Sequence, residues 1–331
     1  MDTSKVLLTG AGFTHNFGAP LAKDMWCDIF NYQEIQREKR IRELMLKDHD
    51  YESIYDLVLS GDFTDSEKRA ILLGVTNSYK KMDLIVTSWN PNSGSPYQVG
   101  IYKLQNMINL FALKNKKGFI FTLNQDLFLE RHYYNGERPT IPGVRIGEIY
   151  FSSNFREQLK EKDFILLPSR EELEKDKEKI IQDNRFFYIK MHGSQNWRSR
   201  TNQEQIVIGH AKKKKIEKEP LLEWYFILFR EVVFTKDIQI LIIGYGFGDA
   251  HINEVLAEAI EKYSAGIHII CPKDVADFHG GLLKKDYGED IWKGLAGYYP
   301  HSLSQVFPLD GSESQGYADL KANYFGIKKP N

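Results

Sequence analysis

Five short runs of aliphatic and aromatic residues recur along the chain, each closed at its C-terminal end by glycine or polar residues. They are KVLLTGAG at 5–12, GFIFTLNQD at 118–126, FFYIKMHG at 186–193, IQILIIGYGFGD at 238–249 and GIHIICP at 266–272. Positions that are apolar consecutively, instead of alternately, fit strands buried on both faces of a parallel sheet. After the fourth run, Asp249 is placed to cap a helix whose Ile252, Val255, Leu256, Ala259, Ile260 and Tyr263 recur on one face. Strand, glycine turn, helix and strand over 238–271 make a βαβ unit, and LLEWYFILFREVVF at 221–234 predicts a buried helix before it.

The alternation breaks between 31 and 115. IQREKRIRELMLKD and SEKRAILLGVTNSYKKM predict amphipathic helices joined by a loop around Gly61; SWNPNSGSPYQ at 88–98 is a loop by composition, and IYKLQNMINLFALKN at 101–115 is helical again. A second insertion over 132–184 carries the charged run REELEKDKEKIIQD, read as a solvated helix, and KKKK at 212–215, flanked by Glu217 and Glu219, reads as a solvated loop in preference to a phosphate site. The fold expected is α/β: a Rossmann-like parallel sheet with helices on both faces over 1–30 and 116–331, and an inserted helical module over 31–115. No internal repeat is present.

Length and charge narrow the class. The 331 residues carry 44 Lys plus Arg against 45 Asp plus Glu, a net charge of −1. No direct nucleic-acid binding is expected of so neutral a chain. With 42% hydrophobic residues a sizeable core forms. Two cysteines, Cys27 and Cys271, rule out a disulfide framework or a four-thiolate zinc site. The start MDTSKVLLTG lacks a secretory pattern, and the longest apolar runs fall short of the roughly 18 to 20 residues of a membrane span. A cytoplasmic protein without membrane association is expected.

Four constellations carry chemistry, all at strand ends, where ligands bind in open α/β sheets. Gly10-Ala11-Gly12-Phe13-Thr14 either cradles a pyrophosphate or is simply a tight strand-to-helix turn; His15 breaks the dehydrogenase pattern G-x-G-x-x-G. In Thr122-Leu123-Asn124-Gln125-Asp126, the Asn and Asp can hold ribose and water or merely cap the next helix. His192, in Met191-His192-Gly193-Ser194, is a general base or a structural histidine. Gly244-Tyr245-Gly246-Phe247-Gly248-Asp249 packs three glycines into five positions, which suits close backbone approach to a ligand or a flexible turn.

Taken together and in this order, the four motifs resemble those of the sirtuin-like family, over residues 5–30 and about 117–272. The resemblance implies nicotinamide adenine dinucleotide (NAD) lying across the sheet edge, with catalytic roles falling on Asn124, Asp126 and His192. Gly10, Ala11, Gly12, Phe13, Thr14, Phe17 and Thr122 are implied around the phosphates and ribose, with Gly244 and Tyr245 on the adenosine side. Two departures separate the chain from protein-deacylating sirtuins. No Cys lies between 27 and 271 to build their zinc module, and His15-Asn16-Phe17-Gly18-Ala19-Pro20-Leu21 stands where they carry Asp-Phe-Arg. Both match the zinc-free bacterial branch that hydrolyses NAD in anti-phage defence, which GYGFGDAHIN at 244–253 also resembles.

The expected function is therefore NAD+ hydrolysis to ADP-ribose and nicotinamide, with NAD as substrate and no metal. The chain is expected to form a homo-oligomer, and the resemblance implies a HerA-type ATPase as partner. The 31–115 module is expected to govern assembly and access. An NAD or ADP-ribose sensor without turnover, a zinc-free deacylase and a dehydrogenase remain alternatives; assaying nicotinamide and NADH separately discriminates them.

Overall fold

The computed structural model describes residues 3–90, 98–112, 116–133, 136–144, 159–160, 163–200, 208–209 and 212–327. Its centre is a six-stranded sheet of β1 (Lys5–Thr9), β2 (Gly118–Thr122), β3 (Phe186–Lys190), β4 (Gln239–Ile243), β5 (Gly266–Ile270) and β6 (Leu295–Tyr299). All neighbours are parallel and the spatial order is β3-β2-β1-β4-β5-β6, a doubly wound Rossmann-like arrangement. The chain winds outward one way from β1 and the other way from β4, so a crevice opens outside the carboxyl ends of these two strands. Register aligns Thr9 with Thr122 and Ile243, Thr122 with Lys190, and Ile243 with Ile270, so the strand ends form one edge.

The strands form where the apolar runs predict them. β2, β3 and β5 are buried at every position, and aromatic rings stack across the sheet, Phe119 on Phe187 at 5.0 Å between centroids. β6, of sequence LAGYY, carries no such run: it is an edge strand, only partly buried.

The helices leading up to β2 are α1 (Ala11–His15), α2 (Ala22–Phe30), α3 (Gln33–Arg37), α4 (Lys39–Lys47), α5 (Tyr51–Ser60), α6 (Asp65–Ser88) and α7 (Ile101–Asn109). A second hydrophobic core joins α2 to α6 through Met25, Ile29, Ile35, Ile41, Met45, Ile54, Val58, Ile71 and Val75. In contrast, Ile101, Leu104, Met107 and Ile108 of α7 pack into the main core. The 24-residue α6 starts at a capping box in which Thr64 Oγ1 accepts from the Glu67 amide at 3.2 Å and Glu67 Oε2 accepts from the Thr64 amide at 2.8 Å. Such a cap is worth about 1 kcal/mol.

The remaining helices used below are α8 (Phe128–His132), α9 (Arg170–Asp183), α10 (Lys212–Lys218), α11 (Pro220–Val233) and α12 (Ala250–Tyr263). The charged run of the second insertion is α9, with Leu173 its one buried residue. The loop expected at 88–98 falls mostly outside the described residues, as does much of 132–164. Among the described residues no helix is long and apolar enough to cross a membrane.

The KKKK segment departs from expectation. It opens α10, and Lys212 and Lys215 are half-buried, paired with Glu52 and Asp56 of α5 at 2.9 Å each. Their partners lie about 160 positions earlier in the chain, which a local reading of composition does not register.

Candidate functional site

A cavity of about 780 Å³ opens over the carboxyl ends of β1 and β4, within the range of small-molecule sites. Its lining includes Gly10, Ala11, Gly12, Thr14, Asn124, Asp126, His192, Gly244 and Tyr245, so nine of the sequence-derived candidates converge on one space. Phe13, Phe17 and Thr122 do not line it. Phe13 and Phe17 are buried in an aromatic cluster, Phe17 stacked on Phe128 at 4.0 Å, while Thr122 Oγ1 accepts from the Thr9 hydroxyl at 2.8 Å beneath the floor.

The glycines explain how two loops can share that floor. Gly10 N–H donates to the Ile243 carbonyl at 3.1 Å and Gly12 N–H to the Gly244 carbonyl at 2.8 Å. A Cβ on Gly12 would lie 2.9 Å from Gly244 Cα, and one on Gly244 would lie 2.0 Å from the Phe13 nitrogen. Gly244 also sits at φ +68°, where a side chain is strained. Glycine here first permits loop-on-loop contact. Helix α1 that follows is only five residues, and the Phe13 amide is bonded to the Gly10 carbonyl.

The second loop is held by its neighbours across the sheet edge. Asn124 Nδ2 donates to Thr14 Oγ1 at 2.6 Å, and that hydroxyl donates onward to Asp126 Oδ2 at 2.8 Å. The other Asp126 oxygen accepts from the Phe128 amide at 2.9 Å at the start of α8. Beneath it, Lys190 and Glu130 form a fully buried ion pair at 2.6 Å, and Lys190 Nζ also donates to the Asp126 carbonyl. Asp126 thus links the first motif to α8.

His192 is 3% exposed, and burial drives its pKa down to about 3 despite the opposing charge of Asp249, so the ring is neutral at neutral pH. Its Nε2 lies 3.3 Å from Nε2 of His251, whose pKa burial also lowers. Asp249 occupies the N-cap position of α12, but the expected side-chain cap is not made. Its carboxylate instead meets Lys212 Nζ at 2.9 Å. Burial opposes the charge on Asp249, yet His192, Lys212 and His251 hold its carboxyl below the usual carboxylate range. Lys212 also meets Glu52 at 2.9 Å and so ties α5 to the glycine-rich loop. Asn253 fixes that loop, accepting from the Tyr245 hydroxyl at 2.8 Å and donating to the Phe247 carbonyl at 2.9 Å. It supports Phe247 at φ +53°.

His251 and Asn253 stand in the sequence only as the tail of GYGFGDAHIN, and Lys212 only within KKKK, which reads as a solvated loop. Glu52 carries no local signal, since its pairing with Lys212 is long-range. Among the described residues no cluster of three or more His, Cys, Asp or Glu could hold a metal ion.

What this arrangement offers is a neutral imidazole, a chain of fixed polar groups facing the same cavity, and open space beside the backbone at Gly246 and Gly248 of its lining. Residues 118–291 match the family described as SIR2-like domain. No curated protein matches the chain.

Proposed function

We propose, since the chain belongs to the SIR2-like family and that family is NAD-dependent, that it is an NAD+ glycohydrolase releasing nicotinamide and ADP-ribose. The observation that carries the reading is His192, a buried neutral imidazole on the same cavity as the Asn124–Thr14–Asp126 chain. The bond that breaks joins the ribose anomeric carbon to the nicotinamide nitrogen. Nicotinamide takes the bonding pair and leaves neutral, because it is cationic while attached, so the leaving group needs little acid help. The ribose passes through an oxocarbenium-like state; water adds at the anomeric carbon and loses a proton to His192. Asn124 orients the ribose or the water, and the Asp126 carboxylate favours the developing positive charge. Gly246 and Gly248 of the fourth motif line the cavity with nothing within 4 Å of an added Cβ, which leaves room for the diphosphate to lie close to the backbone there.

The zinc-free bacterial defence branch is the setting that best fits the missing cysteines and GYGFGDAHIN, and with it go NAD+ depletion during infection, a cytoplasmic location and a HerA-type ATPase partner. Self-assembly through the inserted helices is supported by exposed Leu57, Leu72 and Leu84, apolar side chains without cover in one chain.

Purified protein incubated with NAD tests the reaction. Nicotinamide release without NADH is expected. His192→Ala should abolish it with the fold intact, since loss of a general base removes about two to four orders of magnitude, and Asn124→Ala should abolish it through lost orientation of ribose or water. Binding without turnover would favour the sensor. Release only with an acylated peptide would favour the deacylase. His192→Ala activity above about a tenth of wild type would sink the mechanism.

A further inference from the structure

Helix α6 belongs to the inserted helices, yet two of its side chains reach the loops that carry Asn124, Asp126 and His192. Tyr79 and Asp83 stand one turn apart on one face. The Tyr79 hydroxyl donates to Gln125 Oε1 at 2.5 Å, and Gln125 Nε2 donates to the His192 carbonyl at 3.3 Å. Asp83 Oδ1 accepts from Gln195 Nε2 at 2.6 Å and pairs with Arg131 Nη2 at 3.0 Å. Gln195 follows His192 by three residues, and Arg131 lies on α8, directly after the Asn124–Asp126 loop. The Gln195 amide donates to the Gln125 carbonyl at 3.0 Å, so the two loops are bonded to each other as well as to α6.

Asp83, Arg131 and Gln195 are all buried, and none of them lines the cavity. A buried ion pair stabilises a fold weakly compared with apolar packing, because desolvation offsets the attraction. What the cluster supplies is geometry: directional bonds from one helix to both loops.

We infer that Tyr79 and Asp83 are positioning residues, which set the spacing of His192 against Asn124 and Asp126 from the inserted helices. This role rests on the hydrolase reading, and it goes beyond control of assembly or access. A displacement of about 1 Å in a reacting group can lower a rate about a hundredfold, so loosening these bonds acts on turnover more than on binding.

The test uses the full chain. Tyr79→Phe deletes one hydroxyl, and Gln195→Met removes the bond to Asp83 while keeping the volume; His192→Ala is measured in parallel. Gln195→Met is expected to lower kcat for NAD by about tenfold or more with KM little changed, and Tyr79→Phe, whose side chain also lines the cavity, to lower kcat by as much, both with melting temperatures close to wild type. Wild-type kcat in both variants, or losses that only track a smaller folded fraction, would overturn the role. A wild-type protein that leaves NAD intact, or an active His192→Ala, would instead remove the reaction and this role with it.

Discussion

His192 Nε2 lies 3.3 Å from His251 Nε2, two imidazoles tilted at 39° and held nitrogen to nitrogen in a buried space beside Asp249. At this separation one ring donates its proton to the other's lone pair, and two positive charges would repel. Both rings are driven toward neutrality by burial.

The pair therefore makes stability depend on pH. The folded pKa of His192 is about 3, below the 6.5 of an exposed histidine, so the unfolded chain binds protons over a range where the folded chain does not. His268, lowered to about 4 by burial, acts in the same direction. Stability is fully present above pH 6.5 and declines as the pH falls from there toward 3. Thermal melts at stepped pH should show this slope, and His192→Gln should flatten it. A melting temperature that rises on acidification through that window would contradict the assignment.

Thr14 is the middle of the Asn124–Thr14–Asp126 chain, accepting from one and donating to the other. Thr14→Val keeps the shape and removes both bonds, leaving a buried amide and a buried carboxylate oxygen short of partners, at about 1–3 kcal/mol. We expect a lower melting temperature and a large loss of NAD turnover. Thr14→Ser retains the hydroxyl and should recover most of both. If serine and valine behave alike, the hydroxyl chain is not what matters at this position.

The strand ends were legible in the sequence because doubly buried strands are apolar at consecutive positions, and their closing glycines and polar residues stand out. β6 was not, since an edge strand of sequence LAGYY meets solvent and carries no such run. The polar side of the site was half legible. Asn124, Asp126 and His192 stand directly after apolar runs, whereas Tyr79 and Asp83 lie in an amphipathic helix where polar positions read as solvent-facing. Which of four consecutive lysines turn inward depends on Glu52, Asp56 and Asp249, all remote in sequence from that run. The glycine spacing carries only part of the glycines' role: Gly12 and Gly244 face each other, not only a ligand.

That distinction separates glycines within a single loop. Gly244 has φ +68° and a Cβ there would collide with the Phe13 nitrogen, while a Cβ on Gly246 meets nothing within 4 Å. Gly244→Ala should lower the melting temperature markedly, because backbone on both sides must shift. Gly246→Ala should melt like wild type. Equal melting temperatures for the two variants would refute the loop-on-loop account of the floor.

Lys212 offers a test of the electrostatics around His192. Its ammonium is opposed by burial, but Asp249 and Glu52 outweigh that and raise its pKa above the usual lysine value, so it stays charged throughout the working range. From there it pushes the His192 pKa down, while Asp249 pulls it up. Lys212→Met removes the cation and frees the Asp249 carboxylate to act on both histidines. The His192 pKa should therefore rise, and the acid limb of the pH–rate profile for NAD hydrolysis should move toward neutral pH. Loss of the link between α5 and the glycine-rich loop also lowers stability, because Glu52 and the mostly buried Asp249 are left without their cation. The two effects separate cleanly: a merely structural lysine changes the melting temperature and leaves the acid limb where it was, and that result would refute the charge coupling between Lys212 and His192.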